Sequence, residues 1–292
     1  MNTGSPSEVR AALTELGIRP STRLGQNFLI DRNVSRISIE RADVGQGDHV
    51  LEIGPGLGIL TEALLGAGAQ VHAVELDRKL HAFLAKRFCD TPELTLIHGD
   101  GLDQDFDTLF DPNGEFRIRK VVANLPYSSG TRMLVAMIQS QYRPDRIVVT
   151  LQREVAQRIC AAAGTSAYGL LSVWAQQAYA TRLEHRIGAR CFWPPPDVES
   201  AIAGLERHDN APLVAEHAQM FYGFTKHAFS QRRKQIGTIL KRYTDWDASR
   251  LPQFAALLTS LGLDESSRPE AISPEAWVRI TAFLAGVENG DA

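Results

Sequence analysis

Glycines at alternate positions, in "EIGPGLG", follow a short apolar run: Gly54, Gly56 and Gly58. A glycine turn between a strand and a helix lets a ligand lie directly against the backbone. The spacing is not the G-x-G-x-x-G of a dinucleotide site, and Pro55 removes a backbone donor that a pyrophosphate cradle would keep. Glu75 lies 21 residues after Gly54, in "AVELD" at the end of the next apolar run. A carboxylate there can accept both hydroxyls of a ribose. Asp100 ends the third run in "HGDGL", where a carboxylate can meet the exocyclic amine of an adenine. A nucleoside with no strong phosphate reader is the ligand these residues describe, and S-adenosylmethionine has that description. The competing reading makes the glycines a tight turn and the two acids helix caps.

A second constellation sits in "KVVANLPYSSGT", residues 120–131. An aryl amine such as adenine N6 is a poor nucleophile because its lone pair is delocalised into the ring. It needs acceptors that hold its N–H groups and turn the lone pair toward a methyl donor. The Asn124 side-chain oxygen and the Leu125 carbonyl suit this task, and Pro126 fixes the backbone that aims the carbonyl. Tyr127 can stack on an extruded base, and its π face favours a cationic donor. The alternative is a polar turn with a tyrosine lid on the core.

The elements that must position these residues follow from periodicity. Apolar, β-rich runs fall at 49–53, 70–75, 94–98, 120–123 and 146–151, with helical patterns between them near 57–68, 77–88, 131–140 and 153–163. Such alternation predicts an α/β fold with a mainly parallel sheet covered on both faces. Two more strands, near 181–187 and 198–205, bring the sheet to seven and form an antiparallel pair at an edge. Helices near 6–16 and 31–42 precede the first strand, with Pro6, Ser7 and Asp31 as start signals. After about residue 206 only helical patterns appear, near 212–229, 231–243, 250–262 and 273–286. The expected domains are therefore 1–206, with a helical extension over 1–47, and a small all-α domain over 207–292.

The chain has 292 residues, 44% hydrophobic and 22% charged, which is ordinary globular composition. There is no apolar run of spanning length and no basic-then-apolar leader, so neither a membrane span nor a signal peptide is expected. Cys89, Cys160 and Cys191 are far apart, which fits a reducing cytosol, and no metal-ligand spacing is present. Net charge is −3, yet residues 221–243 carry six Lys or Arg and no acid. Arg232, Arg233 and Lys234 are consecutive, so they cannot all face the core of one helix. They are either a solvated face or contacts to nucleic-acid phosphates.

These segments resemble the KsgA family of rRNA adenine N6-dimethyltransferases. The resemblance rests on "GQNFL" (25–29), "EIGPGLGILT" (52–61), "VELD" (74–77), "GD" (99–100) and "NLPY" (124–127). It continues in "LQREVAQRI", "AYGLLSV", "FWPPPDVESAI" and "FSQRRKQI", and runs in order to about residue 240. It implies a Rossmann-like class I methyltransferase domain with S-adenosylmethionine as donor and no metal. The substrate would be small-subunit rRNA in an immature small ribosomal subunit, where two adjacent adenines near the 3′ end receive four methyl groups. Cofactor contacts would fall on Asn27, Leu29, Gly54, Gly56, Glu75, Leu76, Asp100, Gly101 and Asn124. The target base would lie near Asn124, Leu125, Pro126, Tyr127 and Phe192. Arg153, Arg158, Arg232, Arg233 and Lys234 would meet RNA, with Arg186 a weaker candidate. The expected setting is a cytoplasmic monomer.

Two departures stand out. The family pattern "NLPYNIST" here reads "NLPYSSGT", so an apolar wall is lost and Gly130 is expected to loosen the helix start. Asp197 replaces a lysine in the proline-rich segment and would weaken RNA binding if it faced the RNA. Competing functions are a large-subunit rRNA methylase of the antibiotic-resistance type, which "FSQRRK" and Pro194–Pro196 disfavour, and a small-subunit assembly factor without catalysis. A DNA amino-methyltransferase is more distant, since no sequence-reading domain is visible.

Overall fold

The computed structural model describes residues 5–20, 25–209, 215–243 and 248–286. In chain order the elements are α1 (Pro6–Glu15), β1 (Phe28–Leu29), α2 (Arg32–Ala42), β2 (His49–Ile53), α3 (Ile59–Gly66), β3 (Gln70–Glu75) and α4 (Arg78–Arg87). Next come β4 (Leu94–His98), α5 (Phe106–Phe110), β5 (Lys120–Asn124), α6 (Gly130–Gln139), β6 (Arg146–Gln152), α7 (Arg153–Ile159) and α8 (Leu170–Gln176). The chain continues with β7 (Tyr179–Ile187), β8 (Phe192–Trp193), β9 (Ser200–Arg207), α9 (Ala215–Ser230), α10 (Ile236–Leu240), α11 (Leu251–Ser260) and α12 (Pro274–Leu284). Two compact units result: Met1–Ala156 with Thr181–Arg207, and Gln157–Ala180 with His208–Ala292.

The first unit is built on a seven-stranded sheet of order β4-β3-β2-β5-β6-β9-β7. β2, β3, β4, β5 and β6 run parallel, and β9 pairs antiparallel with β6. The expected pairing of the last two strands at an edge is thus more specific: β9 lies between β6 and the edge strand β7. Strand order reverses between β2 and β5, and ligands of open α/β sheets bind outside the strands' carboxyl ends at such a point. Val50, Leu51, Val121, Val122 and Val148 are all at most 1% exposed, as strands covered on both faces require. α2 and α3 pack Val34, Ala42, Leu60 and Leu64 onto one face of that core.

Local chemistry sets the helix starts. Ser5 caps α1 with Pro6 in its first turn, and the Asp31 carboxylate accepts the Asn33 N–H at 2.8 Å to cap α2. α1 buries Val9, Ala12 and Leu13 against Phe28, Ile30, Leu57 and Leu80. That cluster anchors the "GQNFL" segment, whose Phe28 and Leu29 also pair with Trp193 and Phe192 in a two-stranded ladder. The short α5, α8, β1 and β8 carry too little periodicity to be read from sequence.

In the second unit Phe221, Phe224, Phe254 and Trp277 are fully buried in one cluster with Ala161, Tyr168 and Val173. Residues 157–180, read from sequence as part of the first domain, contribute to this core and group with it. The Tyr168 hydroxyl donates to the Ile272 carbonyl at 2.8 Å, and the Trp174 indole to the Thr225 hydroxyl at 2.9 Å. The helix expected over 231–243 is α10 alone. Gln231–Lys234 form a turn closed by Lys234 N–H to the Gln231 carbonyl at 2.7 Å. Between Phe229 and Ile236 there is no apolar side chain to bury, so nothing holds a helix there. The start of the helix expected over 212–229 lies outside the described residues.

His72 on β3 is 7% exposed, and its Nε2 lies 3.3 Å from His49 Nδ1. Burial, aided by His49, pushes its pKa down to about 4. The unfolded state therefore takes up this proton first as pH falls. Stability is predicted to fall between about pH 6.5 and 4 through this group, and His72→Gln should flatten that part of the profile. Melting curves across the window check it; an identical slope in the variant would contradict it.

Candidate functional site

Residues singled out for chemistry converge at the carboxyl rim of the parallel strands. Most of them line one cleft of about 350 Å³, formed within the first unit by 25–29, 52–57, 59–60, 74–77, Leu80, 99–102, 124–129, Arg132 and Met133. The glycine turn after β2 carries φ values of 73°, 59° and 81° at Gly54, Gly56 and Gly58. A Cβ on Gly56 would lie 3.1 Å from the Phe28 ring, and one on Gly58 2.8 Å from a Leu84 methyl. These glycines therefore serve both conformation and close packing.

Glu75 ends β3 and is 5% exposed. Its Oε2 accepts the Gly56 N–H at 3.0 Å and its Oε1 the Asp77 N–H at 2.8 Å. The helix cap of α4 is Asp77, which accepts from Lys79 and Leu80, so Glu75 is not a cap. A carboxylate has about four lone-pair sites, which leaves room for two ribose hydroxyls. Burial raises the Glu75 pKa to about 7, against the lowering effect of the Asp77 and Gly56 N–H groups. Asp100 follows β4, and one oxygen accepts the Leu102 N–H at 2.9 Å. Leu76 stands 48% exposed at the cleft. A Cβ on Gly101 would strike Ile53 at 2.7 Å.

Asn124 ends β5. Its Nδ2 donates to the Asn27 carbonyl at 3.2 Å, which settles the orientation of the amide. Its Oδ1 is buried and meets no donor among the described residues. The Leu125 carbonyl likewise receives no hydrogen bond among them. Leu125 is 1% exposed, and its N–H donates to Thr150 at 3.2 Å, tying the turn to β6. The Tyr127 hydroxyl is hydrogen-bonded to Ser200 on β9, and burial raises its pKa. Pro126, Tyr127 and Asn27 line the cleft, as does Leu29. Phe192 does not: it is 2% exposed in the sheet core, paired with Leu29.

Sequence reading missed several cleft residues. Glu52 is 1% exposed, accepts the Thr61 hydroxyl at 2.7 Å, and is pushed by burial up to about 8. Its place just before the glycine turn was the available signal. Arg132, exposed on the first turn of α6, is the one basic residue lining the cleft among the described residues, against Glu52, Glu75, Asp77 and Asp100. Residue type alone does not mark Asn27, which only the family resemblance named; its backbone carbonyl accepts from Asn124.

Among the described residues no three His, Cys, Asp or Glu form a metal-binding group, and no helix is long and apolar enough to cross a membrane. The expected RNA-contacting residues do not all stand alike. Arg153 is ion-paired with Glu199, and Arg232 with Glu270 at 3.5 Å. Arg233 and Lys234 have no ion-pair partner among the described residues. Arg158 lies on α7.

A model of the ribosomal RNA adenine dimethylase family matches residues 18–285. The chain belongs to that family. It is 43% identical over 278 residues to the ribosomal RNA small subunit methyltransferase A of Opitutus terrae, covering 94% of this chain and 96% of that protein. The protein of the same name from Phenylobacterium zucineum is 38% identical, covering 95% and 93%. Among solved structures, a dimethyladenosine transferase from Plasmodium falciparum shares the fold. Its TM-score is 0.74 at 21% identity, over 89% of this chain and 98% of that one. The 23S rRNA methyltransferase ErmE gives 0.66 at 25% identity, over 88% and 99%. This rRNA adenine dimethylase therefore has the Rossmann-like class I fold, and its methyl donor is S-adenosylmethionine. The cleft fits that donor: two carboxylates at strand ends suit a nucleoside, and its volume is within the roughly 300–1,000 Å³ of small-molecule sites.

Because ribose hydroxyls donate best to an ionised carboxylate, cofactor affinity is expected to fall as pH drops through about 7, the Glu75 value. Above that value affinity levels off. Calorimetric titration with S-adenosylhomocysteine between pH 5.5 and 8.5 measures this. Glu75→Gln should bind about ten- to a hundredfold more weakly and lose the slope; a slope that survives in the variant assigns the titration elsewhere.

Proposed function

We propose that this chain dimethylates N6 of two adjacent adenines near the 3′ end of small-subunit (16S) rRNA during small-subunit maturation, acting in the cytoplasm as a monomer. The observation that carries the chemistry is the buried Asn124 Oδ1, which has no donor among the described residues. A buried acceptor left unpaired costs about 1–3 kcal/mol, and an amine N–H is the donor that would satisfy it. The small-subunit target is supported by the names of relatives 43% and 38% identical over nearly the whole chain. The large-subunit methylase ErmE stands at 25%.

Glu75 would hold the ribose and Asp100 the adenine amine of S-adenosylmethionine, whose sulfonium supplies an electrophilic methyl group. Asn124 Oδ1 and the Leu125 carbonyl accept the two N–H groups of the target amine. Neither is a strong base, so they hold and orient the lone pair rather than remove a proton. The proton leaves to water once the nitrogen has been alkylated. After the first transfer only one N–H remains, and one acceptor must face a methyl group while the other holds the amine. The Ser200 bond fixes the Tyr127 ring for stacking on the extruded base. Phe192 is proposed to support this wall from the core through its pairing with Leu29.

Asn124→Ala is expected to bind cofactor within about tenfold of wild type while methyl transfer falls about a hundredfold or more. Single-turnover kinetics with undermethylated small subunits measure this, and full activity in the variant would sink the mechanism. RNA contact is proposed for Arg153, Arg158, Arg232, Arg233 and Lys234. Replacing Arg232, Arg233 and Lys234 by Ala should lower the slope of log affinity against log salt by about two to three. The ion-paired Arg232 should contribute least of the three. An unchanged slope returns the turn to a solvated surface.

A further inference from the structure

The Asn124–Tyr127 turn rests on α6 where a side chain is missing. A methyl group built on Gly130 would lie 2.8 Å from the Leu125 Cβ, 3.3 Å from a Leu151 δ-carbon and 3.6 Å from the Leu125 carbonyl carbon. Non-bonded carbons keep about 3.5–4.0 Å. Gly130 is buried and its φ is not in the left-handed region, so space and not backbone freedom calls for glycine. The clash falls on a Cβ, so no rotamer change of Leu125 relieves it. Leu125 and Leu151 are 1% and 2% exposed, and neither can swing into solvent. An added methyl must be absorbed by movement of the turn itself.

That turn carries the acceptor. The Gly130 N–H donates to the Pro126 carbonyl at 2.7 Å, so helix and turn are joined one residue after Leu125. The sequence suggests a loosened helix start at Gly130; the structure shows instead a close-packed one. We propose that Gly130 is a positioning residue that sets the Leu125 carbonyl relative to Asn124 Oδ1 and thereby the rate of methyl transfer. This rests on the reading of those two atoms as acceptors for the target amine. The family pattern has serine here, whose Cβ would demand a different seating of the turn. A Cβ built on Gly25 would lie 2.8 Å from the Tyr127 nitrogen, but the Gly25 φ of 63° would add backbone strain to any substitution. Gly130 is the cleaner probe.

The test compares wild type, Gly130→Ala, Leu125→Gly and the double variant, using the full chain, labelled S-adenosylmethionine and undermethylated small subunits. Gly130→Ala should melt a few degrees below the wild-type temperature, since the added methyl overpacks the turn and the helix preference of alanine offsets only part of that. Cofactor affinity and KM for subunits should stay within about threefold, while kcat falls about ten- to a hundredfold. In the Leu125→Gly background, where no Cβ remains to strike, the same substitution should change kcat by less than about threefold. Wild-type kcat in Gly130→Ala overturns the inference, as does an equal loss in both backgrounds. So does a melting temperature far below wild type, which would make Gly130 a packing residue only. Wild type inert toward small subunits would overturn the functional reading itself, whatever the variants do.

Discussion

A single hydrogen bond organises the catalytic rim: the Asn124 Nδ2 donates to the Asn27 carbonyl. It spends the donor end of the amide inside the protein and leaves the buried acceptor end without a donor among the described residues. The bond needs β5 to end at Asn124, at the point where strand order reverses. It also needs Asn27 to be held across the cleft. α1 and β8 supply that anchorage by burying Phe28 and pairing with Leu29.

The electrostatics of the cleft follow from burial. Glu52 and Glu75 are both pushed up, to about 8 and about 7. Near neutral pH the cleft therefore holds less negative charge than its four carboxyl residues suggest. Ligand hydroxyls that donate to Glu75 favour its ionised form and restore the charge beside a cationic donor. Glu75 also receives the Gly56 N–H, so the ribose contact proposed for it and the shape of the glycine turn would share one side chain.

Much of this was legible in the sequence because it is written in period and punctuation. The parallel strands announced themselves as β-branched runs, and Glu75, Asp100 and Asn124 as polar residues at their ends. The motifs from "GQNFL" to "FSQRRKQI" carried the family. What stayed hidden depends on distance in space. Asn27 acts through its backbone, which no residue type reveals. Gly130 reads as a helix weakener, and only the position of Leu125 shows it to be a close contact. Residues 157–180 read with the first domain, because their contribution to a core with Phe221 and Trp277 comes from far along the chain. The turn at Gln231–Lys234 was hidden by strong helix formers with no apolar face to bury.

The central claim is that the two acceptors at the end of β5 serve an adenine amine in small-subunit RNA. Transfer of labelled methyl groups to undermethylated small subunits, followed by mapping of the modified nucleotides, tests it most directly. The account predicts N6,N6-dimethyladenine at two neighbouring positions near the 3′ end and nowhere else. Label in large-subunit RNA, or no label from a protein that binds the cofactor, would contradict it.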